Sequence, residues 1–217
     1  MAGIEDKNLF MMCEALNPAA LTQLSPAYYV RTCRTDELAV WKAMPFDSPE
    51  LANEFAASMT QYFDEVYANQ ESEFFTRCLF VCDRRDTPIA TCFGWTCFGW
   101  KAYGHVSTIH WLKVSKRYEG LGIGRALLSI VMKIFGDRDY PIFLHTQPGS
   151  FRAIKLYSDF GFVLLTDATI GYRQNELADA LPYLQAHMFP DAFHRLRFAR
   201  APNEFLEAVK SSPINQF

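Results

Sequence analysis

Ile109–Leu128, IHWLKVSKRYEGLGIGRALL, is the stretch whose reading decides the fold. A strand ending at Val114 runs into a loop with glycines at 120, 122 and 124, and the loop runs directly into a helix. Ile123, Leu127, Ile130, Val131 and Ile134 recur at helical spacing, with Gly136 placed to cap the end. Glycines permit positive φ and a close approach of backbone to ligand. The unpaired N–H groups of a first helical turn, together with the helix dipole, favour an anion. The amides of Gly120, Leu121, Gly122, Ile123, Gly124 and Arg125 therefore suit a pyrophosphate. A dinucleotide fingerprint, Gly-x-Gly-x-x-Gly, fails: from Gly120 its third position falls on Arg125, and from Gly122 on Leu127. A P-loop needs Gly-Lys-Ser/Thr, and here the loop ends Gly124-Arg125-Ala126.

Outward from this segment, strands and helices alternate. The first strand expected is Tyr28–Cys33, and residues 1–27 read as an N-terminal extension. A short helix starts at Thr35-Asp36-Glu37. A longer one starts at Ser48-Pro49-Glu50, with Leu51, Phe55, Met59, Tyr62 and Val66 on one face. Cys78–Cys82, Ile89–Thr96 and Val106–Val114 read as strands, the last two joined by a hairpin at Lys101–Gly104. After the Gly-rich helix come a strand at Pro141–Thr146, a helix capped by Ser150 and ending at Gly161, and a strand at Phe162–Leu165. The order β α α β β β α β α β predicts an α/β fold with a mixed, mainly antiparallel sheet and parallel strands near the Gly-rich turn. Residues 28–166 form the expected domain. Residues 167–217 form a C-terminal appendage, helical over Glu176–His187 and Asn203–Lys210 and packed on the domain.

Composition narrows the class. Half the residues are apolar and 21% charged, an ordinary globular balance. A net charge of −3 gives nucleic acid no general attraction to the chain. The start MAGIEDKNLF lacks the apolar core of a secretion signal, so the six cysteines are expected as cytoplasmic thiols rather than a disulfide framework. No uncharged run approaches the roughly 18 residues of a membrane span. No group of His, Cys and acids has metal-ligand spacing. The expected class is a cytoplasmic protein with no metal, nucleic-acid partner or membrane contact.

The Gly-rich segment resembles the acetyl-CoA signature of the GNAT superfamily of N-acetyltransferases: Arg or Gln, two residues, Gly, one residue, Gly or Ala. Gly122 and Gly124 match the small positions, and Glu119 stands where Arg or Gln is usual. Downstream, Ser150–Phe162, SFRAIKLYSDFGF, is similar to the family's Asn-x-x-Ala-x-x-Leu-Tyr-x-x-x-Gly-Phe segment. Ala153, Leu156, Tyr157, Gly161 and Phe162 match it, and Ser150 replaces Asn. The two motifs stand in the family's order, and the resemblance spans about residues 28–166.

The resemblance implies a sheet splayed open at the strand 108–114, with helices on both faces. It implies pantetheine of acetyl-CoA paired with backbone near Leu112 and Val114, and phosphates on Glu119–Arg125, where Arg117 and Arg125 offset the acid. It implies direct attack by a primary amine, of a small molecule, in a ternary complex. Tyr157 then protonates the departing sulfur. His110, on the strand facing the thioester, takes the amine proton, with an imidazole that titrates near neutral pH. His145 is expected to be structural. Residues 36–68 and 98–105 are candidates for the acceptor pocket, with Trp95, Phe98, Trp100, Tyr103 and Trp111 as its rings. The alternatives are a non-catalytic acyl-CoA-binding regulator of the same fold, which Glu119 and Ser150 favour, and transfer to a protein amine. The acceptor, acyl preference and oligomeric state are not encoded in these motifs.

Overall fold

The computed structural model describes residues 3–97 and 104–211. In chain order its elements are β1 (Leu9–Cys13), β2 (Tyr29–Thr32), α1 (Leu38–Ala43), α2 (Pro49–Glu54), α3 (Ala56–Val66), α4 (Glu71–Arg77), β3 (Leu79–Cys82), β4 (Pro88–Cys97), β5 (Val106–Val114), α5 (Ile123–Met132), β6 (Ile142–Thr146), α6 (Phe151–Phe160), β7 (Val163–Leu165), β8 (Thr169–Ile170), β9 (Arg173–Gln174), α7 (Leu177–His187), α8 (Pro190–His194), β10 (Phe198–Ala199) and α9 (Asn203–Ser211). One sheet runs β10-β7-β1-β6-β5-β4-β3-β2, and β8 and β9 form a separate hairpin. Within the large sheet only β5–β6 and β7–β10 are parallel. This is the mixed, mainly antiparallel sheet the sequence predicts. One face carries α5, α6, α7 and α8, and the other carries α1, α3, α4 and α9.

The largest departure from the sequence reading is β1, in the stretch expected to be an extension. It lies inside the sheet, antiparallel to both β6 and β7. Leu9, Met11 and Cys13 join one core, while Phe10 and Met12 join the other. A strand buried on both faces shows no alternation of apolar and polar residues, so a five-residue apolar run carries no periodic signal.

The Gly-rich helix forms as expected but stops early. Leu127, Leu128 and Val131 are fully buried, each contributing about 1.5–3 kcal/mol by leaving water. Ile134 lies beyond the end of α5 and is 66% exposed. Gly136 has φ −93° and starts the next turn, so it does not cap α5. Gly161 does end α6, at φ +108°, where an added Cβ would lie 2.6 Å from the Ala15 carbonyl oxygen. The helix expected from Ser48 breaks at Phe55 into α2 and α3, which leaves Leu51 and Phe55 largely exposed. Helix α4, absent from the sequence reading, buries Phe74. The expected hairpin falls largely on residues 98–103, outside the described residues.

The C-terminal segment packs on both faces of the sheet. Leu177, Ala180 and Leu184 of α7 enter the first core, and Phe205, Ala208 and Val209 of α9 enter the second. The Phe205 ring stacks on Phe143 of β6, with centroids 3.7 Å apart. Lys7 pairs with Glu176 at 2.9 Å and with Asp179 at 2.8 Å, tying the start of the chain to α7.

Two irregularities of β5 create the space for a site. Its parallel pairing with β6 covers only Ser107 and Thr108, and beyond them the strands part. Its pairing with β4 also slips: Phe93 sits opposite His110 but Thr91 opposite Lys113, so β5 carries one extra residue. Trp111 takes up that bulge at φ +55°, a conformation costing a bulky residue about 1–3 kcal/mol.

Candidate functional site

The gap beside β5 has two parts, adjoining pockets that share Leu112, Ser150 and Ala153. The outer part has a volume of about 880 Å³. Val114, Glu119, Gly120, Gly122, Ile123, Gly124 and Arg125 line it, together with Leu112 and Ser150. The structure thus gathers nearly all the residues that the sequence assigned to the cofactor. Leu121 is the exception: its side chain is 56% exposed and outside the lining.

The loop geometry follows from its glycines. Gly120 has φ +79° and Gly122 φ +77°, both left-handed. Gly122 is also the residue before α5, so its conformation sets the direction of the first helical turn. At Gly124 a Cβ would lie 3.4 Å from Val114 Cγ2, so the helix and β5 approach closely there. The amides that open α5 have no acceptor within the helix and meet the cleft with the positive end of its dipole.

The charges are arranged differently from the sequence expectation. Glu119 pairs with Arg152, Oε2 accepting from Nη1 at 2.8 Å. Arg125 is held instead by Asp159 and by the Ala20 carbonyl, the latter at 3.3 Å. Arg117 lies over the Tyr118 ring. Arg152 lies 33 residues further along the chain, beyond α5 and β6, so only the fold reveals it as the partner of Glu119. The outer cleft also holds Lys116, and Lys113 bound to Asp47 at 2.7 Å. Its basic side chains outnumber its acids. Ser150 precedes α6 but its hydroxyl makes no capping hydrogen bond, contrary to expectation.

The inner part, about 380 Å³, is lined by His110 and Tyr157, the two expected catalytic residues. It also takes in Asn8, Tyr62, Trp111, His145 and Arg173. The bulge at Trp111 places His110 on the opposite face of β5 from Leu112. Without it, the two-residue spacing would put both side chains on one face. His110 and Trp111 reach the α3 side, where Trp111 Nε1 donates to the Tyr67 hydroxyl at 3.2 Å and that hydroxyl bonds His110 Nδ1. Nε2 of His110 is buried with no hydrogen-bond partner among the described residues.

The expectation of a histidine titrating near neutrality fails here. Burial, with a smaller effect of the Arg173 charge, pushes His110 down to about 3. His145 is pushed to about 3 by the same two causes. Its Nε2 lies 2.9 Å from Asn8 Oδ1, so this residue, expected to be structural, faces the same cavity as His110. Burial raises Tyr157 above the ordinary tyrosine range, which keeps its phenol protonated. Trp95, an expected pocket ring, is fully buried in the core. Tyr62 and Trp111 do line the cavity, while Phe98, Trp100 and Tyr103 fall outside the described residues.

Asn8, His145 and Arg173 were missed for one reason. They come from β6 and from the two ends of the chain, outside both motifs. The six cysteines are all free and buried. Among the described residues no three His, Cys, Asp or Glu side chains gather to hold a metal, and no helix is long and apolar enough to cross a membrane.

Comparison with known proteins agrees with this architecture. The acetyltransferase (GNAT) family model matches residues 42–162, more than half of the chain. Among solved structures, the chain is similar to a GNAT-family acetyltransferase from Colwellia psychrerythraea, with TM-score 0.51 and 16% identity, covering 75% of this chain and 54% of that one. It is also similar to a GCN5-related N-acetyltransferase from Sphaerobacter thermophilus, with TM-score 0.43 and 22% identity, covering 65% of this chain and 43% of that one. The chain therefore spans about half the length of these two proteins. The search of curated proteins found no match. With the family's segment covering the Gly-rich loop, the bulged strand and α6 together, the chain belongs to the GNAT family of acetyltransferases.

Proposed function

We propose that this acetyltransferase moves an acetyl group from acetyl-CoA to a primary amine of a small molecule, by direct attack within a ternary complex in the cytoplasm. The observation that carries the reading is the adjoining of two pockets at Leu112, Ser150 and Ala153, one lined by residues 120 and 122–125 and the other by His110 and Tyr157. Pyrophosphate sits on the α5 amides, with Lys116 and Arg152 nearby. On the β6 side, β5 beyond Thr108 pairs with no strand among the described residues and offers its backbone groups to the pantetheine amides. The thioester then lies where the two parts meet, near Leu112, Ser150 and Ala153.

In the reaction the amine lone pair attacks the carbonyl carbon, the C–S bond breaks, and the sulfur leaves with the electron pair. One amine proton ends on the sulfur, giving an amide and free CoA. A tyrosine's ordinary pKa of about 10 already exceeds the roughly 8.5 of a thiol, and burial raises Tyr157 further. Full transfer of its proton to the thiolate is therefore uphill. Tyr157 acts by donating a hydrogen bond to the sulfur as negative charge develops there. His110, near 3, is too weak a base to hold the proton of an ammonium ion of pKa about 10. It serves as a neutral, fixed hydrogen-bonding group, and water takes the ammonium proton before attack.

The pairing of Glu119 with Arg152 weighs against a non-catalytic binder, because the acid has a basic partner of its own. The deciding experiment has two readouts: CoA binding by calorimetry, and thiol release from acetyl-CoA over a panel of amines, with and without a chelator. Binding and chelator-insensitive turnover are expected. Binding with no turnover on any amine would make the protein a regulator, and no binding would remove the cleft assignment.

A further inference from the structure

We infer that Tyr67 fixes His110 in the tautomer whose proton is on Nε2, and that this N–H takes an oxygen of the acceptor molecule as its partner. The acceptor is then a primary amine with an ether, hydroxyl or carbonyl oxygen on its chain. This deepens the proposed function and rests on it. Three side chains form a chain of hydrogen bonds on the α3 side of β5. Trp111 Nε1 donates to the Tyr67 hydroxyl at 3.2 Å, and that hydroxyl bonds His110 Nδ1. An indole N–H can only donate, so Trp111 occupies a lone pair of the phenol and not its proton. That proton has two destinations in reach, His110 Nδ1 and the Tyr62 hydroxyl. An imidazole nitrogen is a far stronger base than a phenol oxygen, so the proton goes to Nδ1 and Tyr62 donates to the second lone pair of Tyr67. A neutral imidazole that accepts at Nδ1 carries its hydrogen on Nε2. Burial keeps the ring neutral. Tyr67 is itself fully buried, with the rings of Trp41, Phe74 and Trp95 around it, so its hydroxyl is held in place.

The Nε2–H is the end of the chain that needs a partner. It is buried and has none among the described residues, an uncommon condition for a donor in a folded core. The ring that carries it belongs to the wall of the inner cavity. A ligand oxygen entering that cavity gains a hydrogen bond that the protein does not make for itself. An N–H or ammonium group in the same place sets donor against donor. The oxygen belongs to the acceptor and not to the thioester, because the bulge at Trp111 turns His110 to the face of β5 opposite Leu112, where the thioester is proposed to lie. The same arrangement gives a second reason why His110 takes no proton from the amine: its one lone pair is already occupied by Tyr67. Tyr67 is thus a positioning residue, acting through His110.

The first test needs no substrate. Protein labelled with 15N-histidine should show His110 as the Nε2–H tautomer in long-range 1H–15N spectra near neutral pH, the signal being assigned by its loss in His110→Leu. Tyr67→Phe keeps the ring and should give a mixture of tautomers, while Tyr62→Phe should leave the wild-type form. An Nδ1–H tautomer in wild type would overturn the inference, as would an unchanged spectrum in Tyr67→Phe. The second test follows thiol release from acetyl-CoA with linear primary amines that carry an ether oxygen at each chain position in turn. They are set against all-carbon chains of the same length and chains with a secondary amine in place of the oxygen. At one position the ether should be used about tenfold better in kcat/KM than the all-carbon chain, and the secondary amine worse than both. His110→Leu should level ether and carbon chains, Tyr67→Phe should narrow the gap, and acetyl-CoA affinity should stay unchanged in both. No preference for oxygen at any position would sink the acceptor claim. So would a His110→Leu variant that slows every amine alike, since the oxygen would then be the thioester's. If no amine releases thiol, the proposed function fails together with the acceptor claim, and the spectra decide the role of Tyr67 separately.

Discussion

The amides proposed to hold phosphate in the outer cleft come from one run of backbone at residues 120–125, whereas the inner cavity takes Asn8, Tyr62, His110, His145, Tyr157 and Arg173 from distant places in the chain. The outer part is open, lined with exposed charge and set by glycine dihedrals. The inner part is lined by rings, two neutral imidazoles and the Arg173 side chain, and is set by packing. The difference bears on where the proposed chemistry and the proposed cofactor binding would each reside. A phosphate needs amides in sequence, which a strand–loop–helix unit supplies locally. A reaction needs a desolvated space, which only several elements together enclose.

The comparison makes its largest claim for Tyr157. If the inner cavity serves chemistry alone, Tyr157→Phe should lower kcat by roughly 10²–10³-fold, the usual loss for one donor aimed at developing charge, and leave acetyl-CoA affinity unchanged. Steady-state rates beside calorimetry check this. An equal loss in both would mean that the two parts of the cleft are not separable.

Gly122→Val probes the outer part from the opposite side. At φ +77° a β-branched residue costs about 1–3 kcal/mol and turns the opening amides of α5 aside. CoA should bind roughly 10- to 100-fold more weakly, by the same energy range, while the acceptor cavity keeps its shape. The cause is backbone strain and not a clash, since no atom lies within 4 Å of the added Cβ. Gly120→Ala should act in the same direction. Wild-type affinity in both variants would place the phosphate elsewhere.

The burial of His110 should also appear as pH-dependent stability. His110 has a folded pKa of about 3 against roughly 6.5 unfolded. The unfolded chain therefore takes up protons first as pH falls, and the stability present above pH 6.5 is lost on the way down toward 3. Between pH 6.5 and 5 the His110 share is about 2 kcal/mol. His145 contributes with the same sign. Denaturant melts at pH 7 and pH 5 should show this slope, and His110→Gln should flatten it. An unchanged slope would mean that water reaches the ring. The rate profile should behave otherwise. Its acidic limb should survive in His110→Gln, since the proton lost there is the acceptor's own.

Glu119→Arg should give the smallest effect. The Glu119–Arg152 pair is largely exposed, so its charges are screened and worth little individually. Replacing the acid frees Arg152 and adds a cation, and CoA binding should tighten by roughly threefold at low salt and less at high salt. Weaker binding would show that Glu119 orients Arg152 for the phosphates.

Much of the fold was legible because periodic amphipathic elements announce themselves. Strands β3 to β5, α5, α6 and Gly161 all followed from spacing and end signals. Strand β1 did not, since Leu9–Cys13 faces two cores at once and shows no alternation. The length of α5 was overestimated because Ile134 continues the helical pattern past the last residue that packs. In the outer cleft, every residue that the Gly-rich motif named between Glu119 and Arg125 lines the space except Leu121, whose side chain turns to solvent.

What the sequence determined by itself was the Gly-rich turn into α5 and the family that owns it. Both depend on contiguous residues whose local geometry follows from glycine, helix ends and strand patterning. Tertiary structure decided the rest. It decided that Arg152, not Arg125, meets Glu119, that His110 is neutral, and that His145 and Arg173 belong to the cavity. Burial and charge neighbours set each of these, and both depend on which distant segments the sheet brings together. The bulge at Trp111 shows why the step is needed: one extra residue in β5 reverses which face every later side chain takes, and no single-strand pattern announces it.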